Sequence, residues 1–347
     1  MKRSDRLGFQ TKMRSHPEFL WPALVALTIC AISSAQTPPT NSQTSAKPTA
    51  TPRIVKLSFM VVDRSNHAVD DLKKEEIRLF EDKLPQTINS FSRAEKAVDY
   101  GLVIDVSGSF KTLLPAVLKA ASLLIENEGP VDQCFIESFS NSEQIVTAQE
   151  FTLDKVELKK GLDSLYIRGG QSAVIDAIYL AVEHVAKRPS SSDRRRALVL
   201  FTDGEDRASY YEEKDLVKLI RASGVQLFVI GLLGELDNRS GLTRPSPREH
   251  AQQLLTRIAK ESGGRVFLPK TSDDLVAALR EVFHDLHIQY EIGYESLDAN
   301  RDNFHSIKIE LADSPNRRDA TVVVAPPGYF LIPPDLDSKD KKKSKKP

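Results

Sequence analysis

Apolar and polar residues alternate along the chain with two different periods. From Asp99 onward, short apolar runs are separated by stretches in which apolar residues recur every three or four positions. The apolar runs are typical of buried strands, and the longer periodic stretches are typical of helices with one buried face. This alternation predicts an α/β fold: a doubly wound, mostly parallel sheet, similar to a Rossmann fold, with helices on both faces.

The predicted elements of this α/β part follow each other in chain order. Strands are expected near residues 101–104, 134–139, 144–151, 197–201, 225–232 and 265–268. Helices are expected near residues 111–126, 156–165, 173–186, 212–222, 250–262 and 272–286. Residues 234–249 have no periodicity and contain Pro245 and Pro247, which predicts a long loop.

The chain on either side of this part has a β pattern instead. Short strands joined by polar turns are expected within residues 53–98 and again within residues 288–332. An isolated hairpin is marginal in water, so we expect both sets of strands to form one small β-sandwich. The α/β domain, residues 99–287, is then inserted between the two halves of the sandwich.

Residues 1–35 have the pattern of a signal peptide. Basic residues precede an apolar run from Phe19 to Ile32, and small residues follow it, so cleavage is expected after Ala35. The run is shorter than the roughly 20 apolar residues of a membrane span, and Pro22 interrupts it. A retained anchor and lipoprotein processing at Cys30 are the weaker alternatives. The mature chain is therefore expected to be periplasmic, secreted or on the cell surface, without an integral membrane span.

Two further segments lack the apolar residues that a packed core needs. Residues 36–52 consist mostly of Thr, Pro, Ser, Gln and Ala, which predicts a disordered linker. Residues 333–347 end in a run rich in lysine, which predicts a disordered basic tail.

The charge distribution argues against nucleic acid as a partner. The chain of 347 residues has 48 basic and 48 acidic side chains. Residues 36–338 hold 37 Lys and Arg against 45 Asp and Glu, whereas residues 339–347 hold six Lys and one Asp. A nucleic-acid-binding domain needs a basic face to neutralise phosphates, and this acidic body does not provide one.

Cysteine content excludes an internal disulfide in the mature chain. If Cys30 leaves with the signal peptide, only Cys134 remains. Its neighbours Phe135 and Ile136 place it in a strand, where we expect a buried small side chain rather than a catalytic thiol.

Oxygen-bearing side chains follow the apolar strand at residues 101–104. Asp105, Ser107 and Ser109 alternate with other residues directly after it, where the carboxyl ends of parallel strands form a binding crevice. Asp203 follows the strand at 197–201, and Ser172 stands at a helix start. Two carboxylates and three hydroxyls suit a hard divalent cation, namely Mg²⁺ first and Mn²⁺ or Ca²⁺ as alternatives. With so few anionic ligands, the cation keeps a position that a carboxylate from a partner can fill.

The same residues resemble the metal-ion-dependent adhesion site of the von Willebrand factor type A family. Asp105, Ser107 and Ser109 match the Asp-x-Ser-x-Ser motif, and residues 202–204 match its Thr-Asp-Gly element. Ser172, four residues before Asp176, takes the place of the usual threonine. The resemblance covers residues 99–286. It implies that the three serines contact the metal and that the two aspartates often act through water.

The outer parts of the chain resemble a secreted bacterial subgroup of that family, the VWFA-related acidobacterial domain. The similarity rests on the export signal, the flanking strands and the sequence Gly328 to Phe330. The subgroup has no generally established biochemical role.

These features predict an exported binding module that captures the Asp or Glu carboxylate of a protein partner through its metal. It is not expected to be an enzyme or to use another cofactor, because the motif supplies no nucleophile with a base. An envelope scaffold with an incidental metal and a metal-dependent hydrolase are the alternatives.

Other polar clusters have simpler interpretations. Glu205 and Asp206 are expected to cap the helix that follows them, and an added metal ligand or a change in the charge of the metal site is the alternative. His284 and His287 have a spacing that can bind a metal, but a partly exposed helix face is expected, because no carboxylate partner or third histidine is evident nearby in sequence. Residues 194–196, three consecutive arginines, are expected in a solvated loop before the strand enters the core, and a phosphate clamp is the alternative.

Overall fold

The computed structural model describes residues 53–189, 191, 193–236, 245–296, 303–312 and 321–330. All of these residues fall in one unit of the chain, residues 50–347. The predicted signal peptide, linker and basic tail lie outside the described residues. In the described part of the chain, no helix is both long and apolar enough to span a bilayer.

The chain forms strands at both ends and alternates strands with helices between them. The strands are β1 Arg53–Val62, β2 Ile77–Glu81, β3 Leu84–Gln86, β4 Ile88–Glu95, β5 Ala97–Asp105, β6 Gln133–Phe139, β7 Ile145–Thr152, β8 Arg194–Thr202, β9 Gln226–Gly231, β10 Val266–Phe267, β11 Ile288–Ser296, β12 Phe304–Leu311, β13 Val322–Val324 and β14 Gly328–Phe330. The helices are α1 Leu114–Asn127, α2 Lys155–Asp163, α3 Val174–Ala186, α4 Glu213–Ser223, α5 Pro247–Ser262 and α6 Ser272–His287.

A six-stranded sheet with the order β10-β9-β8-β5-β6-β7 forms the centre of the molecule. Its strands are parallel except β7, which pairs antiparallel with β6 at the edge. Leu102 and Ile104 pack in one core with α1, α2 and α6, while Val103 packs in a second core with α3, α4 and α5. Successive side chains of a strand point to opposite faces. The predicted doubly wound fold is therefore confirmed.

The flanking strands form two four-stranded sheets, β13-β1-β11-β4 and β14-β12-β2-β3. Both sheets combine strands from the two ends of the chain, because β1 pairs antiparallel with β11 and β2 with β12. Phe59 and Tyr290 from the first sheet share a core with Leu79 and Ile309 from the second. This is the arrangement of the expected sandwich.

The sequence Gly328 to Phe330 forms β14 and is tied into the sandwich at each residue. A Cβ on Gly328 would lie 2.1 Å from the carbonyl oxygen of His305, so only glycine fits there. The Tyr329 hydroxyl donates to the buried carboxylate of Glu81, and the ring of Phe330 lies 5.2 Å from that of Phe304.

Two helices begin at residues other than those that periodicity predicted. Helix α1 begins at Leu114, three residues later than predicted, because a 3₁₀ turn at Gly108–Phe110 precedes it. Helix α5 begins at Pro247, three residues earlier, because proline is tolerated in the first turn and the Ser246 hydroxyl accepts a hydrogen bond from the Glu249 backbone nitrogen. The predicted loop is correspondingly shorter, and its residues 237–244 lie outside the described residues.

The three consecutive arginines open strand β8, so the expectation of a solvated loop is wrong. Arg194 pairs with the buried carboxylate of Asp99. Arg195 donates to the Ala94 carbonyl at 2.9 Å, and Arg196 donates to the Ser223 carbonyl at 2.6 Å. The amino end of a parallel sheet faces helix carboxyl ends, whose last carbonyls have no partner within the helix. Arg196 satisfies such a carbonyl at the end of α4, and Arg195 satisfies those of Leu286 and His287 at the end of α6.

Candidate metal centre

The candidate site lies at the carboxyl ends of the neighbouring central strands β5 and β8. Asp105 is the last residue of β5, Thr202 is the last residue of β8, and Asp203 follows it. The parallel register of these strands, with Ile104 opposite Phe201, brings the two ends together. The side chains of Asp105 and Asp203 are 0% and 2% exposed. The sheet therefore buries two carboxylates at one edge.

Asp105 is held by three hydrogen bonds from three different segments. Its Oδ1 accepts from the Ser107 backbone nitrogen at 2.9 Å. Its Oδ2 accepts from the Ser172 hydroxyl at 3.1 Å and from the Thr202 hydroxyl at 2.8 Å. The carboxylate is thus fixed in orientation by donors up to 97 positions away in sequence.

The remaining residues join the same cluster through Ser109. The hydroxyls of Ser107 and Ser109 lie 3.2 Å apart, and Ser109 is also hydrogen-bonded to the Asp203 carboxylate. Ser107 is buried, whereas Ser109 is exposed. All five residues singled out in the sequence therefore converge, and the cluster reaches solvent at Ser109.

Thr202 is the member of the cluster that the sequence reasoning left out of the ligand set. Its hydroxyl accepts a hydrogen bond from the Gly204 backbone nitrogen at 3.0 Å and donates to Asp105. Its place at the end of a central strand, directly before Asp203, is the sequence feature that could have indicated its part in the cluster.

The loop after β8 holds the backbone of Ser172 in place through hydrogen bonds. The backbone nitrogens of Arg207 and Ala208 donate to the Ser172 carbonyl at 2.9 and 3.2 Å. The Asp176 carboxylate in turn accepts from the backbone nitrogens of Tyr210 and Tyr211, both at 2.8 Å. Asp176 therefore anchors this loop.

The expected roles of Glu205 and Asp206 as caps of the following helix are wrong. Asp206 accepts a hydrogen bond of 3.2 Å from the Ile175 backbone nitrogen, in the first turn of the preceding helix α3. The Glu205 carboxylate pairs with Arg207 at 2.5 Å. Chain direction predicted α4 as the partner, but the fold places the loop over the start of α3.

His284 and His287 lie on a partly exposed face of α6, as expected, but each has a carboxylate beside it. His284 Nε2 lies 3.0 Å from an Asp70 oxygen, and His287 Nε2 lies 2.6 Å from an Asp132 oxygen. Each histidine has its own carboxylate from a distant segment, so the two do not face a common ion.

Burial dominates the electrostatics of the central cluster. Burial, followed by repulsion from Asp203, raises the pKa of Asp105 to about 6. Burial also raises the pKa of Asp203. In the described part of the chain, Asp105 takes part in no salt bridge. Two buried carboxylates held close together are an arrangement that a cation would stabilise.

The donor set consists of oxygen atoms alone. Hard divalent cations prefer carboxylate and hydroxyl oxygens, so the residues fit such an ion. Among the described residues, no three His, Cys, Asp or Glu side chains form a metal-binding group, since hydroxyls supply most of the donors here.

Residues 99–281 match the family model of the von Willebrand factor type A domain, which covers more than half of the chain. No curated protein matches the chain.

Three solved structures are similar to parts of this chain. An aerotolerance-related membrane protein from Bacteroides fragilis is 21% identical, with 55% of this chain and 100% of that chain covered and a TM-score of 0.43. A von Willebrand factor type A protein from Catenulispora acidiphila is 12% identical, with 84% and 76% covered and a TM-score of 0.44. Proximal thread matrix protein 1 from the mussel byssus, with zinc in its metal-ion-dependent adhesion site (MIDAS) motif, is 18% identical, with 55% and 48% covered and a TM-score of 0.44. Identities and TM-scores this low support no functional assignment.

Proposed function

Because the chain belongs to the von Willebrand factor type A family, we propose that it is a binding module that captures protein partners through a divalent cation. Mg²⁺ is the preferred cation, and Mn²⁺ and Ca²⁺ are the alternatives. The partner contributes an Asp or Glu carboxylate. The cation is held by five side chains: Asp105, Ser107, Ser109, Ser172 and Asp203.

The observation that carries this proposal is the convergence of these side chains on one buried cluster. The hydrogen bonds from Ser172 and Thr202 to Asp105 fix the orientation of the carboxylate. A bound cation supplies a positive centre that attracts an anionic group. With two carboxylates around it, a divalent cation lacks the further anionic donors found in closed sites.

The exposure of the cluster supports capture of a partner from solvent. Ser109 and Gly108 are exposed, while Asp105 and Ser107 are fully buried. A ligand therefore approaches over the 3₁₀ turn at Gly108–Phe110, next to the side chains that would hold the metal.

Binding is favoured over hydrolysis by the absence of a suitable base in the described cluster. Hydrolysis at a metal requires a general base within hydrogen-bond reach of the attacking water. Glu205 is the nearest additional carboxylate in sequence to Asp203, and it is paired with Arg207. Domains of this family are generally interaction modules rather than enzymes.

Capture from an envelope fraction tests the proposal. The immobilised full chain is exposed to the fraction in Mg²⁺ or in EDTA, and bound proteins are identified by mass spectrometry. We expect partners that are retained in Mg²⁺, lost in EDTA and lost with Asp105→Ala. Asp163→Asn, which changes an exposed carboxylate at the end of α2, is the matched control.

Two outcomes would contradict the proposal. Retention of the same partners in EDTA and by Asp105→Ala would favour a scaffold in which the metal is incidental. Metal-dependent turnover of ester, phosphate or peptide substrates would favour a hydrolase.

Export to the periplasm, the medium or the cell surface is part of the proposal. It is supported by the apolar run of residues 19–32 that follows basic residues. Mass spectrometry of the mature protein should find Gln36 at its amino terminus, whereas an intact Met1 in a cytoplasmic fraction would contradict export.

A further inference from the structure

A second concave site lies at the opposite end of the central sheet from the candidate metal centre. It is a cleft of about 340 Å³ that includes the start of β8 and residues of the sandwich strands β1 and β14. Arg195 at this end and Thr202 at the other are seven residues apart on β8, which corresponds to roughly 20 Å. The cleft is therefore separate from the metal centre.

Basic side chains dominate the lining of this cleft. Its two acidic residues are Glu261 and Glu291. Its six basic residues are Lys56, Lys96, Arg194, Arg195, Arg196 and Arg221. An excess of this kind focuses a positive potential in a concave surface.

The acidic residues compensate only part of this charge. Glu291 is shared by Lys96 and by Lys56, whose Nζ lies 3.9 Å from it. Glu261 accepts from Arg221 at 2.7 Å. Arg194 pairs with Asp99. In the described part of the chain, these ion pairs leave two guanidinium groups without a carboxylate at contact distance, those of Arg195 and Arg196.

Arg195 is the most deeply buried of these cations. Its residue is only 7% exposed, and its Nε has no hydrogen-bond partner among the described residues. Its two terminal nitrogens donate to the carbonyls of Ala94, Leu286 and His287. Burial lowers the pKa of Arg195 to about 10, although attraction to Glu291 opposes this, so the group is still charged at neutral pH. A buried cation without an anion at contact distance is costly, and a bound anion would offset that cost.

Arg196 is fixed in a similar way at the other face of the sheet. It donates to the Ala186 carbonyl at 3.3 Å and to the Ser223 carbonyl at 2.6 Å, at the carboxyl ends of α3 and α4. Both guanidinium groups are thus oriented before any ligand binds. Little side-chain entropy is lost when an oriented group forms further hydrogen bonds.

We propose that this cleft binds a phosphate group. The Arg196 guanidinium matches the geometry of phosphate oxygens, and Lys56 and Lys96 add charge without a fixed geometry. Arg195, on the opposite face of β8, adds to the positive potential of the cleft. The cleft volume lies at the lower end of the roughly 300–1,000 Å³ of small-molecule sites. The group is carried either by a small soluble phosphate compound or by a lipid headgroup.

Calorimetric titration of the full chain with inorganic phosphate tests the proposal. EDTA is present throughout, so that the metal centre plays no part, and sodium chloride at matched ionic strength gives the reference. We expect saturable binding of phosphate, weakened about tenfold by Arg196→Gln and about threefold by Lys56→Gln. Lys56 has a side chain that is 60% exposed, so its replacement leaves the fold intact.

Lys218→Gln is the matched control, because Lys218 is 59% exposed and lies outside the cleft. It should bind phosphate like the wild type. Wild-type affinity in both cleft variants, or no saturable binding to the wild type, would overturn the proposal.

Sedimentation with phosphatidylcholine vesicles that contain phosphatidic acid distinguishes the two sources of phosphate. Co-sedimentation that Lys56→Gln weakens and Lys218→Gln leaves unchanged assigns the cleft to a lipid headgroup. Binding of inorganic phosphate without co-sedimentation assigns it to a soluble phosphate compound.

Discussion

The hydroxyl of Thr202 donates a hydrogen bond of 2.8 Å to Oδ2 of Asp105 and links the ends of the strands β8 and β5. The same hydroxyl oxygen accepts from the Gly204 backbone nitrogen, which directs its proton toward Asp105. Asp105 is thereby held in one orientation by the fold itself. The proposed metal centre depends on this orientation as much as on the identity of the ligands.

Replacement of Thr202 by valine tests this role, since valine keeps the shape and removes the hydroxyl. We expect Thr202→Val to lower the free energy of unfolding by about 1–3 kcal/mol, because it removes a buried hydrogen bond to a carboxylate. We also expect about tenfold weaker Mn²⁺ binding. Urea denaturation and calorimetric titration measure the two effects. Thr147→Val on the edge strand β7 is the control, and equal effects of both changes would refute the special role of Thr202.

Gly101 lies in the middle of β5, where a side chain cannot fit. A Cβ at this position would lie 2.1 Å from the ring of Phe135 and 2.8 Å from the side chain of Leu198. Both neighbours are fully buried, so Gly101→Ala should overpack the core and cost about 1–3 kcal/mol or more.

Thermal and urea unfolding of Gly101→Ala measure this cost. Combination with Phe135→Leu should recover part of the loss, because the smaller side chain frees the space. Gly234→Ala, with open space around its added Cβ, should be neutral. An unchanged free energy of unfolding in Gly101→Ala would show that the core is looser than described.

The sequence predicted features whose signal is local, and it missed features that join distant segments. The apolar run at residues 101–104 predicted β5, and the polar residues after it predicted a cluster at the carboxyl end of that strand. Periodicity does not report that Asp70 lies beside His284, because the two residues are 214 positions apart. The same holds for Asp206, which binds the helix before it rather than the helix after it.

The arginines at the start of β8 show a second limit of sequence patterns, which do not reveal the hydrogen-bond partners of a side chain. A run of three basic residues is typical of a solvated loop, yet Arg195 is almost fully buried in β8. The carbonyls that receive it belong to β4 and to the end of α6, which only the packing of the sandwich against the sheet brings nearby. Hydrogen-bond partners of this kind depend on the assembled fold.

Glu81 holds three hydroxyl groups inside the sandwich. It is 4% exposed and accepts from Tyr294 and Ser296, both at 2.9 Å, and from Tyr329. Glu81→Gln keeps the size but replaces one acceptor oxygen by a donor group, which leaves a buried hydroxyl poorly paired. We expect a loss of about 1–3 kcal/mol in the free energy of unfolding. Urea denaturation should show this loss, and it should not show it for the exposed control Glu75→Gln; equal stability of both variants would contradict the network.

His284 should make stability depend on pH near neutrality. Its hydrogen bond to Asp285 raises the pKa of His284 and, although burial opposes this, its contact with Asp70 adds to the increase. A group whose pKa is higher in the folded state stabilises the fold fully below its unfolded pKa, which is about 6.5. This contribution is lost as the pH rises through the folded pKa.

Unfolding by urea at pH values from 5.5 to roughly 8.5 measures this dependence. We expect the wild type to lose stability as the pH rises past about 6.5, and His284→Gln to show a smaller loss. A remaining slope is expected, because the pKa of His287 is also raised. Burial is the largest single effect and lowers this pKa, but the hydrogen bonds to Asp132 and to the Phe283 carbonyl, together with the attraction of nearby carboxylates, outweigh it. An identical slope in His284→Gln would contradict the assignment.

Direct titration of the metal is the measurement that tests the central claim most closely. Calorimetry with Mg²⁺ and Mn²⁺ should find one saturable site in the wild type and in Asp163→Asn. Affinity should fall at least about 100-fold in Asp105→Ala and in the double variant Ser107→Ala/Ser109→Ala. Thermal unfolding without metal verifies that these variants are folded. Failure of the wild type to bind either cation at millimolar concentration, or wild-type affinity in folded Asp105→Ala, would contradict the account.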